Sequence, residues 1–314
     1  MNTQKTSHNI NHTITSLYEH CALCPRACGV NRHIQRGFCG CGDEIKAARA
    51  ALHFWEEPCI SGTGGSGTIF FSGCTLKCCF CQNYSISQEQ FGETISSGRL
   101  VQIMLRLQEQ GAENISLVTA TQYLPSILPA LDMVRPKLRI PVVYNCGGYE
   151  SVETLHMLEG YIDIYLPDLK YFSPELSEAY SGAADYFAKA SLALPEMIRQ
   201  TGAPVIDEHG ILRRGTLIRH MALPGQRDDS IRLLRWMADT LPRDSFLLSL
   251  LSQYTPFYHA KNHPEINRRV TSYEYQKVLD EALSLGLTKG FMQRRSSARE
   301  EYTPPFDLEG IRES

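Results

Sequence analysis

Short, nearly continuous apolar runs alternate with segments whose apolar residues recur at helical spacing. GTIFFS at 67–72 reads as a strand, and Leu100, Ile103, Met104 and Leu107 then mark one face of a helix. NISLVTA at 114–120 precedes a helix around Ile127, Leu128, Leu131 and Val134, and PVVYN at 141–145 is a third strand signal. IDIYLPDLK at 162–170 leads into a long helical stretch. TLIRHMAL at 216–223 precedes a helix carrying Ile231, Leu233, Leu234 and Met237. FLLSLLS at 246–252 supplies a sixth strand before a closing helix over 273–285. Strands apolar on both faces, with helices between them, predict an α/β fold built on a parallel sheet. Right-handed crossovers either curl such a sheet into a barrel or wind it open, and periodicity does not choose between the two. Either arrangement gathers ligands at the carboxyl ends of the strands.

Length and charge narrow this further. A chain of 314 residues can form two ordinary domains or one large α/β unit, and strand-helix alternation favours the second. A net charge of -3 gives no general electrostatic grip on nucleic acid or an anionic membrane. The first twenty residues lack the apolar run of a secretory signal, and no stretch of about eighteen apolar residues occurs. A soluble, cytoplasmic protein is expected. In a reducing compartment its 11 cysteines are not read as disulfides, and an odd number could not all pair within one chain. All but Cys146 fall between Cys21 and Cys81, a crowding that points to metal.

Cys74, Cys78 and Cys81 form C-x3-C-x2-C directly after the first strand, with Cys79 outside the pattern. A structural zinc site wants four closed ligands, and this loop has no histidine to supply the fourth. A cubane cluster on three thiolates leaves one iron open for a substrate or cofactor. Phe80 would shield such a cluster from water. This spacing, together with HFWEEPCISG, GTIFFSGC, CFCQNYSIS, VTATQYLP, VVYNCGGYE, YLPDLKY, IRHMALPG and LLSQYTP, resembles the radical S-adenosylmethionine superfamily. Within it the chain is similar to the iron-sulfur proteins related to pyruvate formate-lyase activating enzymes, from about Cys21 to Gln293.

The resemblance implies a partial (β/α)6 TIM-like barrel, a [4Fe-4S] cluster on Cys74, Cys78 and Cys81, and S-adenosylmethionine chelated by the open iron. One electron would cleave the sulfonium to a 5'-deoxyadenosyl radical, the cofactors carrying the chemistry. It also implies a protein substrate of the glycyl-radical-enzyme kind and a flavodoxin or ferredoxin type electron donor. Asp168 and Lys170, two apart and pointing to one side, match the D-x-K of the activating enzymes and line the cofactor pocket. Arg219 matches an arginine near the cofactor carboxylate, a partner suited to a planar bidentate donor. His220 then faces the other way as a packing histidine. Asn145 could donate to the ribose or methionyl group, with Gly147 and Gly148 permitting close approach. Gln253 matches an adenosine-contacting position, although the residue type differs. The family's G-G-E, which binds the methionyl amino group, is replaced by Thr119, Ala120, Thr121 and Gln122, so Thr119 and Thr121 become the candidates there.

Cys21, Cys24, Cys28 and Cys39 make a second possible metal knuckle, for zinc or an auxiliary iron-sulfur cluster, with Cys41 as an alternative fourth ligand. Arg26, Arg32 and Arg36 lie around it, but the net charge and the lack of aromatic platforms argue against a nucleic-acid reader. Glu56 and Glu57 read as a solvated loop, and Cys59 and Cys146 as buried thiols. The division expected is a cysteine-rich extension at 1–60, a barrel at 61–295 and a tail at 296–314. The function expected is radical activation of a protein. The alternatives are a radical enzyme acting on a small molecule and a non-enzymatic metal-dependent electron carrier or nucleic-acid-binding protein.

Overall fold

The computed structural model describes residues 16–293 and 303–312. After a cysteine-rich loop region the chain forms β1 (Ile45–His53), β2 (Ser66–Phe71) and β3 (Glu93–Ile95), followed by α1 (Ser97–Glu109). Strand and helix then alternate through β4 (Ile115–Val118), α2 (Leu124–Val134), β5 (Val142–Cys146), α3 (Val152–Leu158) and β6 (Ile164–Pro167). The helices α4 (Pro174–Ser181) and α5 (Tyr186–Thr201) lead to β7 (Val205–Ile206) and β8 (Leu212–Met221). The series closes with α6 (Arg227–Thr240), β9 (Leu247–Leu251), α7 (Ser272–Ser284) and β10 (Gly290–Met292).

The strand order is β10-β9-β8-β6-β5-β4-β2-β1-β3. Along this order every neighbouring pair from β2 to β10 is parallel, whereas β1 runs antiparallel to β2 and to β3, and β7, off the path, pairs antiparallel with β8. The parallel strands follow one another in chain order with no reversal. A doubly wound sheet needs a switch point where the order turns back. With right-handed crossovers, an unbroken order puts the helices on one face and curls the sheet. The fold is therefore a partial barrel, and all six strands expected from the sequence lie in it.

Apolar faces explain where the helices dock. In α1, Leu100, Ile103, Met104 and Leu107 are buried, and Ser96 caps its start by accepting from the Arg99 amide. The long helical stretch after β6 is two helices, because Gly182 takes a left-handed conformation at φ 60° and ends α4. That break delivers Ser181 to the mouth of the barrel. Strand β1 is the element that periodicity does not reveal. Its sequence IKAARAALH is rich in helix formers. It extends because β2 pairs with it on one side, while the Leu308 amide donates to Ala48 O at 3.0 Å and the Ala50 amide to Glu309 O at 2.8 Å. Among the described residues no helix is long and apolar enough to cross a membrane.

Candidate active site

The loop after β2 carries the three cysteines and is held from several sides. Its Lys77 amide donates to Ser181 O at 3.1 Å, its Cys79 amide to Tyr180 O at 2.8 Å, and Cys79 O accepts from the His259 amide at 2.8 Å. Each of the three sulfurs has a polar neighbour. The Leu76 amide lies 3.4 Å from Cys74 Sγ, Ser181 Oγ 3.0 Å from Cys78 Sγ, and Ser87 Oγ 3.3 Å from Cys81 Sγ. These donors suit thiolate ligands. Burial pushes the Cys74 thiol up to about 12 and the Cys81 thiol up to about 11, so any metal taken up by these thiols would have to displace their protons. Cys79 uses its backbone to fix the loop and stays outside the cavity lining.

A cavity of about 250 Å³ opens beside Cys78, Phe80 and Cys81 at the carboxyl ends of the strands. Phe80 stands edge-on to Tyr254 at 5.5 Å between ring centroids, which fixes it over the loop. Across the cavity a mixed-charge network converges from separate elements. Arg219 Nε donates to Asp168 Oδ1 at 2.8 Å, Nη1 to Glu56 Oε2 at 2.9 Å, and Nη2 to Asn145 Oδ1 at 2.7 Å. Lys170 Nζ donates to Asp168 Oδ2 at 2.6 Å, and Asn145 Nδ2 to Glu56 Oε1 at 3.2 Å. Burial alone would raise Asp168, but Arg219 and Lys170 overcome it and hold the carboxyl below its usual value. Burial raises Glu56 against the pull of Arg219. The result is a pair of fixed cations and a pair of fixed carboxylates beside the sulfurs, able to meet a zwitterionic ligand without reorganising.

The structure brings Asn145, Asp168, Lys170, Arg219 and Gln253 together on this cavity with Cys78 and Cys81. It does not bring Thr119 or Thr121 there. The Thr121 hydroxyl is buried, 2.8 Å from Tyr144 Oη and 3.0 Å from Glu150 Oε1, and Thr119 accepts from the Gln122 amide group through its carbonyl. His220 packs away from the cavity, with Nδ1 2.7 Å from Leu169 O. Glu56 and Glu57 are not a solvated loop. Glu56 joins the network, and Glu57 is 8% exposed. The acidic pair in HFWEEP was the signal, but its cation lies far along the chain. His53 and Trp55 also line the cavity, and burial, then Arg49, lowers His53 to about 4, leaving a neutral imidazole there.

The amino-terminal cysteines gather in the same region. Arg26, between Cys24 and Cys28, donates from Nε to Thr75 O at 3.0 Å and from Nη2 to Ser181 O at 3.2 Å. Its guanidinium also lies 4.1 Å from the Phe38 ring centroid. The arginine thus pins the extension to the three-cysteine loop. Cys59 and Cys146 are buried, each 2% exposed.

The radical SAM superfamily model matches residues 68–237. "Uncharacterized protein MJ0674" of Methanocaldococcus jannaschii is 32% identical over 274 residues, covering 84% of this chain and 75% of that protein. Among solved structures, SuiB of Streptococcus suis bound to precursor peptide SuiA aligns with a TM-score of 0.47 at 14% identity, over 70% of this chain and 46% of that one. The FeFe-hydrogenase maturase HydG from Carboxydothermus hydrogenoformans aligns with a TM-score of 0.49 at 15% identity, over 74% of this chain and 59% of that one. The chain spans about half the length of these solved structures. With more than half of its residues inside the matched region, the three-cysteine loop included, this chain belongs to the radical SAM superfamily, and membership implies a [4Fe-4S] cluster and S-adenosylmethionine.

Proposed function

We propose that Cys74, Cys78 and Cys81 hold the [4Fe-4S] cluster and that the protein uses S-adenosylmethionine to abstract a hydrogen atom from a polypeptide, in the manner of glycyl-radical activases. When bound, the cluster supplies the single electron that cleaves the sulfonium. Arg219 and Lys170 receive the carboxylate of the cofactor, Asp168 and Glu56 present acceptors to its amino and ribose groups, and Asn145 donates to the ribose or methionyl group. Glu56 stands in for the glutamate of the missing G-G-E, and Gln253 faces the adenosine. Phe80 keeps water from the sulfurs. A flavodoxin or ferredoxin type donor delivers the electron, and the cysteine-rich extension works with the barrel as a distinct metal-binding part.

The observation that carries this reading is the placement of the mixed-charge network beside Cys78 and Cys81 in a cavity of about 250 Å³. A cavity at or below the usual range for small-ligand sites has little room for a second sizeable molecule once the cofactor is in place. A substrate reaching in from outside suits it, as a polypeptide segment can. Trp55, 52% exposed, and Pro304 line the same cavity and give such a segment apolar contacts.

Anaerobically reconstituted protein given dithionite and S-adenosylmethionine is expected to release 5'-deoxyadenosine. The triple variant Cys74→Ala, Cys78→Ala, Cys81→Ala should release none, and equal release from both would remove the reading. A glycyl-radical spectrum on a co-purified protein supports the polypeptide substrate. Deuterium passing from a metabolite into 5'-deoxyadenosine would replace it with a small molecule.

A further inference from the structure

Ser181 and Tyr171 are both fully buried, and their hydroxyls form a chain that ends on a sulfur. Tyr171 Oη lies 2.7 Å from Ser181 Oγ, which lies 3.0 Å from Cys78 Sγ. Among the described residues Tyr171 Oη has no other hydrogen-bond partner, and Ser181 Oγ has none beyond these two. Each hydroxyl carries one hydrogen, and a sulfur that ligates metal carries none. The phenol hydrogen is therefore satisfied only at Ser181 Oγ, and the serine hydrogen is left to point at Cys78 Sγ. The opposite order would leave the phenol hydrogen buried without an acceptor, the costlier arrangement. The other two sulfurs lack such a chain. Cys74 faces the Leu76 amide at 3.4 Å, and Cys81 faces the Ser87 hydroxyl alone at 3.3 Å.

Both hydroxyls are held in place. Ser181 is the last residue of α4, where left-handed Gly182 stops the helix. Its carbonyl accepts from the Lys77 amide at 3.1 Å and from Arg26 Nη2 at 3.2 Å, and Arg26 Nη1 donates to Gly182 O beside it. Tyr171 directly follows Lys170, and its ring stands edge-on to Tyr186 at 5.4 Å between centroids. Tyr186 Oη in turn accepts from the Lys170 amide at 2.9 Å and donates to Asp168 O at 2.7 Å. One short segment, 168–171, thus serves the cavity through Asp168 and Lys170 and the sulfur through Tyr171. The three-cysteine loop is also blocked on its far side. A Cβ on Gly73, the residue before Cys74, would lie 2.9 Å from Cys39 O and overlap the Cys41 sulfur.

We infer that Ser181 donates to the Cys78 sulfur, that Tyr171 is the positioning residue that aims it, and that the two together raise the reduction potential of the cluster. The inference rests on the proposed function only for a cluster on Cys74, Cys78 and Cys81. Reduction adds negative charge that spreads onto the thiolates, so a donor stabilises the reduced state more than the oxidised one. Tyr171 polarises the serine hydroxyl and strengthens the donation.

Redox titration of the anaerobically reconstituted full chain, followed by the EPR signal of the reduced cluster without S-adenosylmethionine, tests this, and iron content checks that the variants are equally loaded. Ser181→Ala should lower the potential, cutting the ratio of reduced to oxidised cluster at a fixed poise about tenfold. Tyr171→Phe, which keeps the ring, should lower it by less. The double variant should sit no lower than Ser181→Ala, because Tyr171 reaches the sulfur only through Ser181. It should also melt above Ser181→Ala, which strands the phenol hydrogen. An unmoved potential in either single variant would overturn the inference, and additive shifts in the double variant would overturn the role of Tyr171. Equal iron in the wild type and the Cys74, Cys78, Cys81 triple variant would sink the proposed function and this inference with it. A cluster that responds as described yet releases no 5'-deoxyadenosine would sink the proposed function alone.

Discussion

Arg219 shows how much of the site depends on single side chains. Among the described residues it is the one cation that bonds Asp168, Glu56 and Asn145 together. Arg219→Gln leaves two largely buried carboxylates under-paired, and a destabilisation of roughly 3–5 kcal/mol is expected, with weaker S-adenosylmethionine binding. Denaturation and calorimetric titration of the same variant measure both. Glu150 offers a pH-dependent case. Burial raises its carboxyl from 4.5 to about 8, although Thr121 and Tyr144 donate hydrogen bonds to it. The unfolded chain releases this proton near 4.5 and the folded chain near 8, so its contribution is complete below 4.5 and is lost as pH rises through 8. Glu150→Gln keeps the bond accepted from Thr121, reverses the one with Tyr144 so that the amide donates, and removes the titration. It should gain on the wild type by on the order of 4 kcal/mol between about pH 5 and about pH 9, read from thermal midpoints. In the sequence, strand spacing set Asp168 and Lys170 on one side, and Arg219 came from the resemblance to the activating enzymes. Neither disclosed Glu56, because a charge looks solvated until its partner, arriving from a distant strand, is known.

At the scale of elements, apolar runs announced the six parallel strands because both faces of each are covered. Strand β1 stayed hidden because its small and basic residues extend only when β2 and the segment near Leu308 pair with them. The junction of β5 and β6 carries a further constraint. Gly148 has φ 76°, and a Cβ there would overlap the carbonyl oxygen of Asp168. Gly148→Ala combines left-handed strain of about 1–2 kcal/mol with that clash. It should lower the thermal midpoint and weaken S-adenosylmethionine binding by moving Asp168, although residue 148 need touch no ligand. Normal cofactor affinity in a folded Gly148→Ala protein would contradict this coupling.

For the whole molecule, residues 303–312 are part of the barrel's edge. Ile311, 3% exposed, enters the main apolar core, while Arg49 pairs with Asp307 and Glu309 at the surface. Truncating the buried side chain and removing the surface cation should therefore differ in cost. Ile311→Ala is expected to lose about 2–5 kcal/mol, and Arg49→Ala about 1 kcal/mol or less, by denaturant titration. Gly73 ties the other end of the molecule together. With the Cys39 carbonyl and the Cys41 sulfur occupying the space a methyl would need, neither cysteine loop can yield without displacing its neighbour. The two cysteine-bearing loops therefore shift as one body: a change of shape in either is handed straight to the other.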